Sequence, residues 1–167
     1  TVPGSWSRGV VIYPQLGGLT ADRASVMVVT RQTVGVGPVP EWSVLRTIDI
    51  RLSRNGDVWE FDHLSSAGGS FETIEDLSRA HEIASDPRID MPDSARLDIL
   101  AGLVSPTLLE VMAELADQTD YAVTVLATGH PHNVFETDRQ SHHTVGRAVD
   151  IYRIGTELVI DGRHDEG

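Results

Sequence analysis

The sequence predicts an α+β fold in which helices pack on an antiparallel sheet, with a β-rich extension over residues 1–70. Three observations predict it. Residues 42–62 alternate between apolar and polar side chains on both sides of an Asn-Gly pair, as expected of a β-hairpin. Residues 105–118 carry an apolar stripe at helical spacing. Residues 121–160 follow the order strand, loop, strand, hairpin. Strands and helices are thus segregated along the chain, which favours α+β.

In the extension, residues 24–30 are predicted to form a short strand. Residues 35–40, rich in Gly and Pro, are predicted to be a linker. The hairpin over residues 42–62 turns at Asn55-Gly56. A pair of glycines shortly after it suggests a boundary near residue 70, so the second domain is predicted to cover residues 71–167.

The second domain is predicted to begin with a helix capped by Thr73 and closed before Pro87. Ser105 and Pro106 form a strong helix start, with a hydroxyl cap followed by proline in the first turn. Strands are then predicted over residues 121–128, 147–154 and 157–160, since β-branched and aromatic residues alternate there.

Composition narrows the possible functions. The chain has 167 residues with 40% hydrophobic side chains, which suffices for a core. Its formal net charge is −12, which repels nucleic acid and anionic membranes, so we expect neither as a partner. No cysteine is present, so a metal site would have to use His, Asp or Glu. No apolar run reaches the roughly 18 residues that a membrane span needs, and no signal peptide is visible.

Histidines cluster late in the chain, which raises the probability of a metal or acid–base site. Five of the seven lie between residues 130 and 164, namely His130, His132, His142, His143 and His164.

The most informative stretch is Ser141–Ile151, in which a histidine and a carboxylate lie seven residues apart with a glycine between them. Side chains alternate along a strand, so Asp150 would face a cleft while Val149 and Ile151 face the core. Gly146 would allow the turn that folds His143 back over Asp150. Spacing alone leaves two interpretations open: a metal site, or an exposed strand carboxylate near a loop histidine.

The pattern Ser-x-His-x-x-Gly-x-Ala-x-Asp from Ser141 to Asp150 resembles the zinc motif of the bacterial D-alanyl-D-alanine carboxypeptidases and dipeptidases, whose fold the Hedgehog signalling domain shares. The resemblance covers roughly residues 105–154, including the helix and strand that precede the motif. It implies a Hedgehog/D,D-peptidase-like fold and a zinc cofactor, with His143 and Asp150 as ligands.

The chain departs from that family in two places. The family arginine that stabilises the anionic transition state falls on Pro131 here; His130 and Arg139 are the catalytic candidates in its place, with His132 and Arg147 as further substitutes. The third zinc ligand of the family is a distal histidine. Here it is either His164 or a residue beyond Gly167, and we expect the domain to be truncated at its C-terminus.

Two other residues are assigned to substrate binding. His132 is one of them, because the His130-Pro131-His132 segment is expected to line the cleft rather than bind a second metal ion. Ser141 is the other. It lies near two histidines, but no Gly-x-Ser-x-Gly elbow supports a serine hydrolase, so it is assigned to substrate binding and not to nucleophilic attack.

The resemblance therefore implies a zinc-dependent peptidase-like domain of the D,D-carboxypeptidase type. It would act on peptidoglycan stem peptides in an extracytoplasmic bacterial location. The alternative is a non-catalytic module that binds cell-wall peptides or a protein partner on the same fold. A purely structural domain is the third possibility.

Overall fold

The computed structural model describes residues 4–65 and 78–160 of the chain, without the side chains of residues 39–41. Within these ranges the chain forms two four-stranded sheets and three α-helices. The predicted α+β class is confirmed, with more strand than helix. No helix in the described ranges is long and apolar enough to cross a membrane.

The first sheet is an antiparallel meander of long strands in the order β1-β2-β3-β4. Its strands are β1 (Ser5–Leu19), β2 (Arg23–Val36), β3 (Val39–Asn55) and β4 (Val58–Leu64). The linker predicted over residues 35–40 is wrong, because β2 and β3 run through that segment and meet at a tight turn. Gly37 has a φ of 61° and supplies the left-handed residue of this turn, so the glycine of the predicted linker forms a hairpin turn instead.

The hairpin predicted over residues 42–62 corresponds to β3 and β4. Asn55 pairs with Val58 across a two-residue loop, and Gly56 adopts a φ of 63°. The loop is therefore Gly56-Asp57, one residue later than the predicted Asn55-Gly56 turn, and glycine occupies the first loop position, where a hairpin turn requires a positive φ.

The second unit contains the helices and a shorter sheet in the order β5-β6-β7-β8. Its elements are α1 (Ser78–Ser85), β5 (Ile89–Asp90), α2 (Asp93–Leu100), α3 (Pro106–Gln118), β6 (Tyr121–Val125), β7 (Asp150–Ile154) and β8 (Glu157–Leu158). The start of the first helix at Thr73 and the domain boundary at residue 70 fall outside the described residues.

This second sheet is mixed, whereas the sequence predicts a purely antiparallel one. β5 and β6 pair in parallel, and the other neighbours are antiparallel. The reason is the connection: α2 and α3 lie between β5 and β6, and such a helical crossover returns the chain in the same direction.

Helix α3 begins where the sequence predicts. The Ser105 hydroxyl accepts a hydrogen bond from the Leu108 backbone N–H at 3.4 Å, and Pro106 occupies the first turn. The apolar stripe of the helix is buried against the sheet. The core around it consists of Ala80, Ile83, Ala84, Ile89, Met91, Ala95, Ile99, Val104, Leu108, Leu109, Met112, Ala113, Ala116, Tyr121, Val123 and Leu126.

The first sheet meets β6 and α2 of the second unit through polar contacts from β3. Thr47 and Asp49 are 4% and 1% exposed, so the polar face of this strand is the buried one. The Thr47 hydroxyl donates to the Thr124 carbonyl on β6, and the Leu45 N–H donates to Asp93 at 2.8 Å. These contacts bring the first sheet against the strands that flank the histidine-rich loop.

Candidate functional site

His143 and Asp150 meet at the start of β7, in the second sheet. His143 lies on a single 3-10 turn, His143–Val145, and Asp150 is the first residue of β7. The His143 Nε2 atom lies 3.3 Å from the Asp150 Oδ1 atom, with the two side chains 8% and 27% exposed. The structure thus brings together the two residues that the spacing singled out.

Gly146 makes this approach possible. It has a φ of 67°, and a Cβ atom placed there would collide with the backbone carbonyl of Leu103. Its own carbonyl accepts a hydrogen bond from the Ser105 N–H at 2.9 Å. The glycine therefore reverses the chain between His143 and Asp150 while its backbone packs against the residues before α3.

The strand after the turn has the predicted alternation. Val149 and Ile151 are partly buried and pack against the core. Asp150, between them, lines a cavity on the opposite face. Its carboxylate is only partly accessible to solvent, as expected of a side chain at the base of a cleft.

The tautomer of His143 follows from its hydrogen bond. Its Nδ1 atom lies 2.6 Å from the backbone carbonyl of Leu126. A carbonyl only accepts, so Nδ1 carries the proton and donates it. In the neutral ring the lone pair is then on Nε2, the atom that faces Asp150. A backbone carbonyl on the far nitrogen is the usual way in which proteins orient a metal-binding histidine.

His130 lies against His143. The two rings are stacked with centroids 4.0 Å apart and planes 10° from parallel. Burial and the neighbouring His143 lower the pKa of the His130 imidazole below its ordinary value. Its Nδ1 lies 2.8 Å from the Pro131 carbonyl, so this ring, too, carries its lone pair on Nε2 when neutral.

A buried carboxylate anchors the loop that carries His130. Asp98 on α2 is 2% exposed and accepts hydrogen bonds from the Ala127 N–H at 2.9 Å and from the N–H and hydroxyl of Thr128 at 2.7 and 2.6 Å. Burial raises the pKa of the Asp98 carboxyl, although the three hydrogen bonds act in the opposite direction. The segment that follows β6 is thereby tied to α2.

The pair opens into a cavity of about 310 Å³ between the two sheets. His130, His143, Asp150 and Ser141 line it from the second unit, and residues of β1, β2 and β3 line it from the first. The N-terminal sheet therefore forms one wall of the candidate site.

Arg51 is a site residue that the sequence analysis missed. It lines this cavity, and its Nε donates to the Asp49 carboxylate at 2.6 Å, while Asp49 also accepts from the Ser25 hydroxyl at 2.7 Å. Its guanidinium lies 5.0 Å from the centre of the Phe135 ring. No hydrogen bond joins its terminal amino groups to the described part of the chain.

A second cavity of about 550 Å³ adjoins the first. Arg51, Pro131, Val134 and Phe135 line both. The two cavities therefore adjoin at Arg51 and Phe135, and the two together are called the cleft.

Two of the remaining predicted residues, Ser141 and His132, line the cleft. Ser141 lines the smaller cavity, and its hydroxyl accepts from the His143 N–H at 3.3 Å, so it supports the turn. His132 is exposed and lines the larger cavity. Arg139 is exposed and lies outside the lining of both cavities. His164 lies outside the described residues.

Gln15, Asp49 and Arg51 were missed because they are distant in sequence from the motif. Asp49 and Arg51 share a face of β3, and two opposite charges on one face of a strand are a weak signal of a polar, functional surface. Nothing in the local pattern around Gln15 indicates its contact with Asp150.

The donor chemistry fits part of a zinc site. An imidazole nitrogen and a carboxylate oxygen are ordinary zinc ligands, and His143 and Asp150 direct one of each towards the same space. Across residues 4–65 and 78–160, no group of three or more His, Cys, Asp and Glu side chains is arranged to hold a metal ion. The described residues thus bring together two of the three ligands that the resemblance implies for a zinc site, namely His143 and Asp150.

Searches with family models and against curated proteins and solved structures found no match to this chain.

Proposed function

We propose that the chain is a zinc-dependent peptidase-like domain of the D,D-carboxypeptidase type that acts on peptidoglycan stem peptides. The observation that carries the proposal is the approach of His143 Nε2 to Asp150 Oδ1 at 3.3 Å, at the base of a cleft. The motif resemblance supplies the reaction class, and the geometry makes a cation at this point physically reasonable.

The electrostatic argument starts from the tautomer of His143. With its Nδ1 proton donated to Leu126, a neutral His143 presents a lone pair to the Asp150 carboxylate. Two acceptors at this separation repel each other unless a proton or a metal ion lies between or beside them. A zinc ion bound by both would remove the repulsion and satisfy both side chains.

The chain would contribute several functions around such an ion. Bound zinc polarises a carbonyl and lowers the pKa of a coordinated water to about 7. His130 stacks on His143 beside the pair, and in its neutral form its Nε2 lone pair is suited to accept a proton. Arg51 supplies a fixed positive charge in the same cavity, where the family arginine is replaced by Pro131.

The cleft suits an extended ligand rather than a compact one. Arg51 and Phe135 line both cavities, so a bound peptide would place its reacting end near His143 and the rest of its chain in the larger cavity. The terminal amino groups of Arg51 bond to no residue in the described ranges, and a guanidinium is the group that pairs best with a carboxylate, which a stem peptide carries at its end.

The first experiment measures metal content. Purified protein is incubated with zinc, desalted and analysed by elemental analysis, together with the variants His143→Ala and His142→Ala. His142 is the adjacent, exposed histidine and is the matched control. We expect zinc in the wild type and in His142→Ala, and its loss in His143→Ala. Equal zinc in both variants would refute the assignment of the site.

The second experiment separates catalysis from binding. Zinc-loaded protein is incubated with a pentapeptide ending in D-alanyl-D-alanine, and free D-alanine is measured. Release by the wild type but not by His143→Ala supports the peptidase. Saturable binding of the peptide without release would instead support the alternative, a non-catalytic cell-wall binding module.

A further inference from the structure

The N-terminal sheet contacts the candidate site directly through Gln15. The Gln15 Nε2 atom on β1 donates a hydrogen bond to the Asp150 Oδ2 atom at 3.2 Å, across 135 positions of sequence. Gln15 is half-buried and lines the same cavity as His143 and Asp150.

A second hydrogen bond fixes the orientation of this amide. The Thr124 hydroxyl donates to Gln15 Oε1 at 2.7 Å. Because an amide oxygen only accepts, its NH2 group must point the other way, towards Asp150, and a carboxylate is the acceptor that it needs. Thr124 is fully buried on β6, and its carbonyl accepts a hydrogen bond from the Thr47 hydroxyl, so the residue that orients the Gln15 amide is itself held in place.

An aromatic contact between β1 and β7 lies next to the hydrogen bond from Gln15 to Asp150. Tyr13 lies two residues before Gln15, and Tyr152 lies two residues after Asp150. Their rings stack with centroids 4.7 Å apart. Residues two apart share a face of a strand, so the ring pair and the amide–carboxylate pair are neighbours on the facing surfaces of β1 and β7.

We propose that Gln15 is a positioning residue for Asp150. It occupies Oδ2, so that Oδ1 alone is directed towards His143 Nε2 and towards an ion shared by the two side chains. The N-terminal sheet then has a function in the site, because it sets the geometry of a ligand carried by the other unit. This inference rests on the proposed function.

The test measures metal affinity in the full chain. Gln15→Met keeps the length of the side chain and removes both hydrogen bonds. Gln32→Met is the matched control, since Gln32 lies in the same sheet and its amide donates to the exposed Ser7 hydroxyl at 2.9 Å. Zinc dissociation constants are obtained by competition with a chromophoric chelator. The visible absorption of the Co²⁺-loaded proteins reports on coordination geometry.

We expect Gln15→Met to bind zinc roughly ten- to hundredfold more weakly than the wild type, as is common when a residue that hydrogen-bonds to a metal ligand and orients it is lost. The Co²⁺ spectrum should change as well, and Gln32→Met should match the wild type in both measurements. Thr124→Val removes only the hydroxyl that orients the amide. It should weaken zinc binding by a smaller factor, and it serves as the test if Gln15→Met does not fold.

Two results would overturn the proposal in distinguishable ways. Folded Gln15→Met or Thr124→Val proteins with wild-type zinc affinity and wild-type Co²⁺ spectra would show that Gln15 does not position Asp150, and would leave the zinc site intact. A wild-type protein that binds no zinc would overturn the proposed function, and this inference with it.

Discussion

Replacing Gly146 with alanine tests the turn that joins His143 to Asp150. Gly146 adopts a φ of 67°, and an added Cβ would run into the carbonyl of Leu103, which belongs to the backbone and cannot swing aside. The substitution therefore imposes two separate costs, one from the left-handed conformation and one from the collision.

The two costs can be estimated separately. A non-glycine residue in the left-handed region costs about 1–2 kcal/mol. Forcing extra volume into a packed site costs about 1–3 kcal/mol more, because neighbouring backbone must move. The expected loss in the free energy of unfolding is therefore about 2–5 kcal/mol. For a chain of this size the melting temperature should fall on the order of 10 °C.

The assay is urea denaturation followed by circular dichroism, with Gly56→Ala as the control. Gly56 has nearly the same φ, 63°, but a Cβ there meets no atom within 4 Å. Gly56→Ala should thus lose only the conformational cost of about 1–2 kcal/mol. If the two variants lose the same free energy, the collision with Leu103 does not exist and the close approach of the turn is refuted.

Two further substitutions test the polar groups around the cleft. Asp98→Asn should lower the free energy of unfolding at pH 7 by about 1–3 kcal/mol, because the one amide oxygen must replace a carboxylate that accepts from Ala127 and Thr128. The pKa of Asp98 is raised in the fold, so the folded chain binds more protons than the unfolded chain at pH values between the unfolded and the folded pKa. As pH falls through that window, the free energy of unfolding of the wild type should therefore rise relative to that of the variant. A difference in free energy of unfolding that narrows in urea titrations at lower pH would contradict this. Arg51→Gln should cost about 3–5 kcal/mol, since it removes the guanidinium that donates to buried Asp49. Combining it with Asp49→Asn should recover part of that loss in a double-mutant cycle, and strictly additive losses would show that the two side chains are not coupled.

Local signals in the sequence predicted several elements well. Ser105 and Pro106 start α3 where the capping rules place it, and the hairpin turns at Gly56-Asp57, one residue from the predicted position. Each of these signals acts through hydrogen bonds or dihedral preferences within a few residues, so no distant part of the chain is needed to interpret it.

Other elements required long-range contacts. The linker predicted over residues 35–40 is part of a hairpin, because glycines suit a tight turn as well as a flexible connection. β5 has only two residues, Ile89 and Asp90, and its pairing with β6 exists because the intervening helices return the chain alongside it. A two-residue strand has no periodicity that a sequence could display.

The candidate site likewise contains some residues that local sequence predicts and others that only long-range contacts bring in. The sequence alone placed His143, Gly146 and Asp150 in one short motif, because a turn and the strand that follows it obey local rules of alternation and backbone conformation. Only the tertiary structure placed Gln15 and Arg51 beside them, since these residues arrive from a separate sheet. Contacts between residues so far apart in the sequence depend on how whole sheets pack, and no local pattern of side chains encodes that.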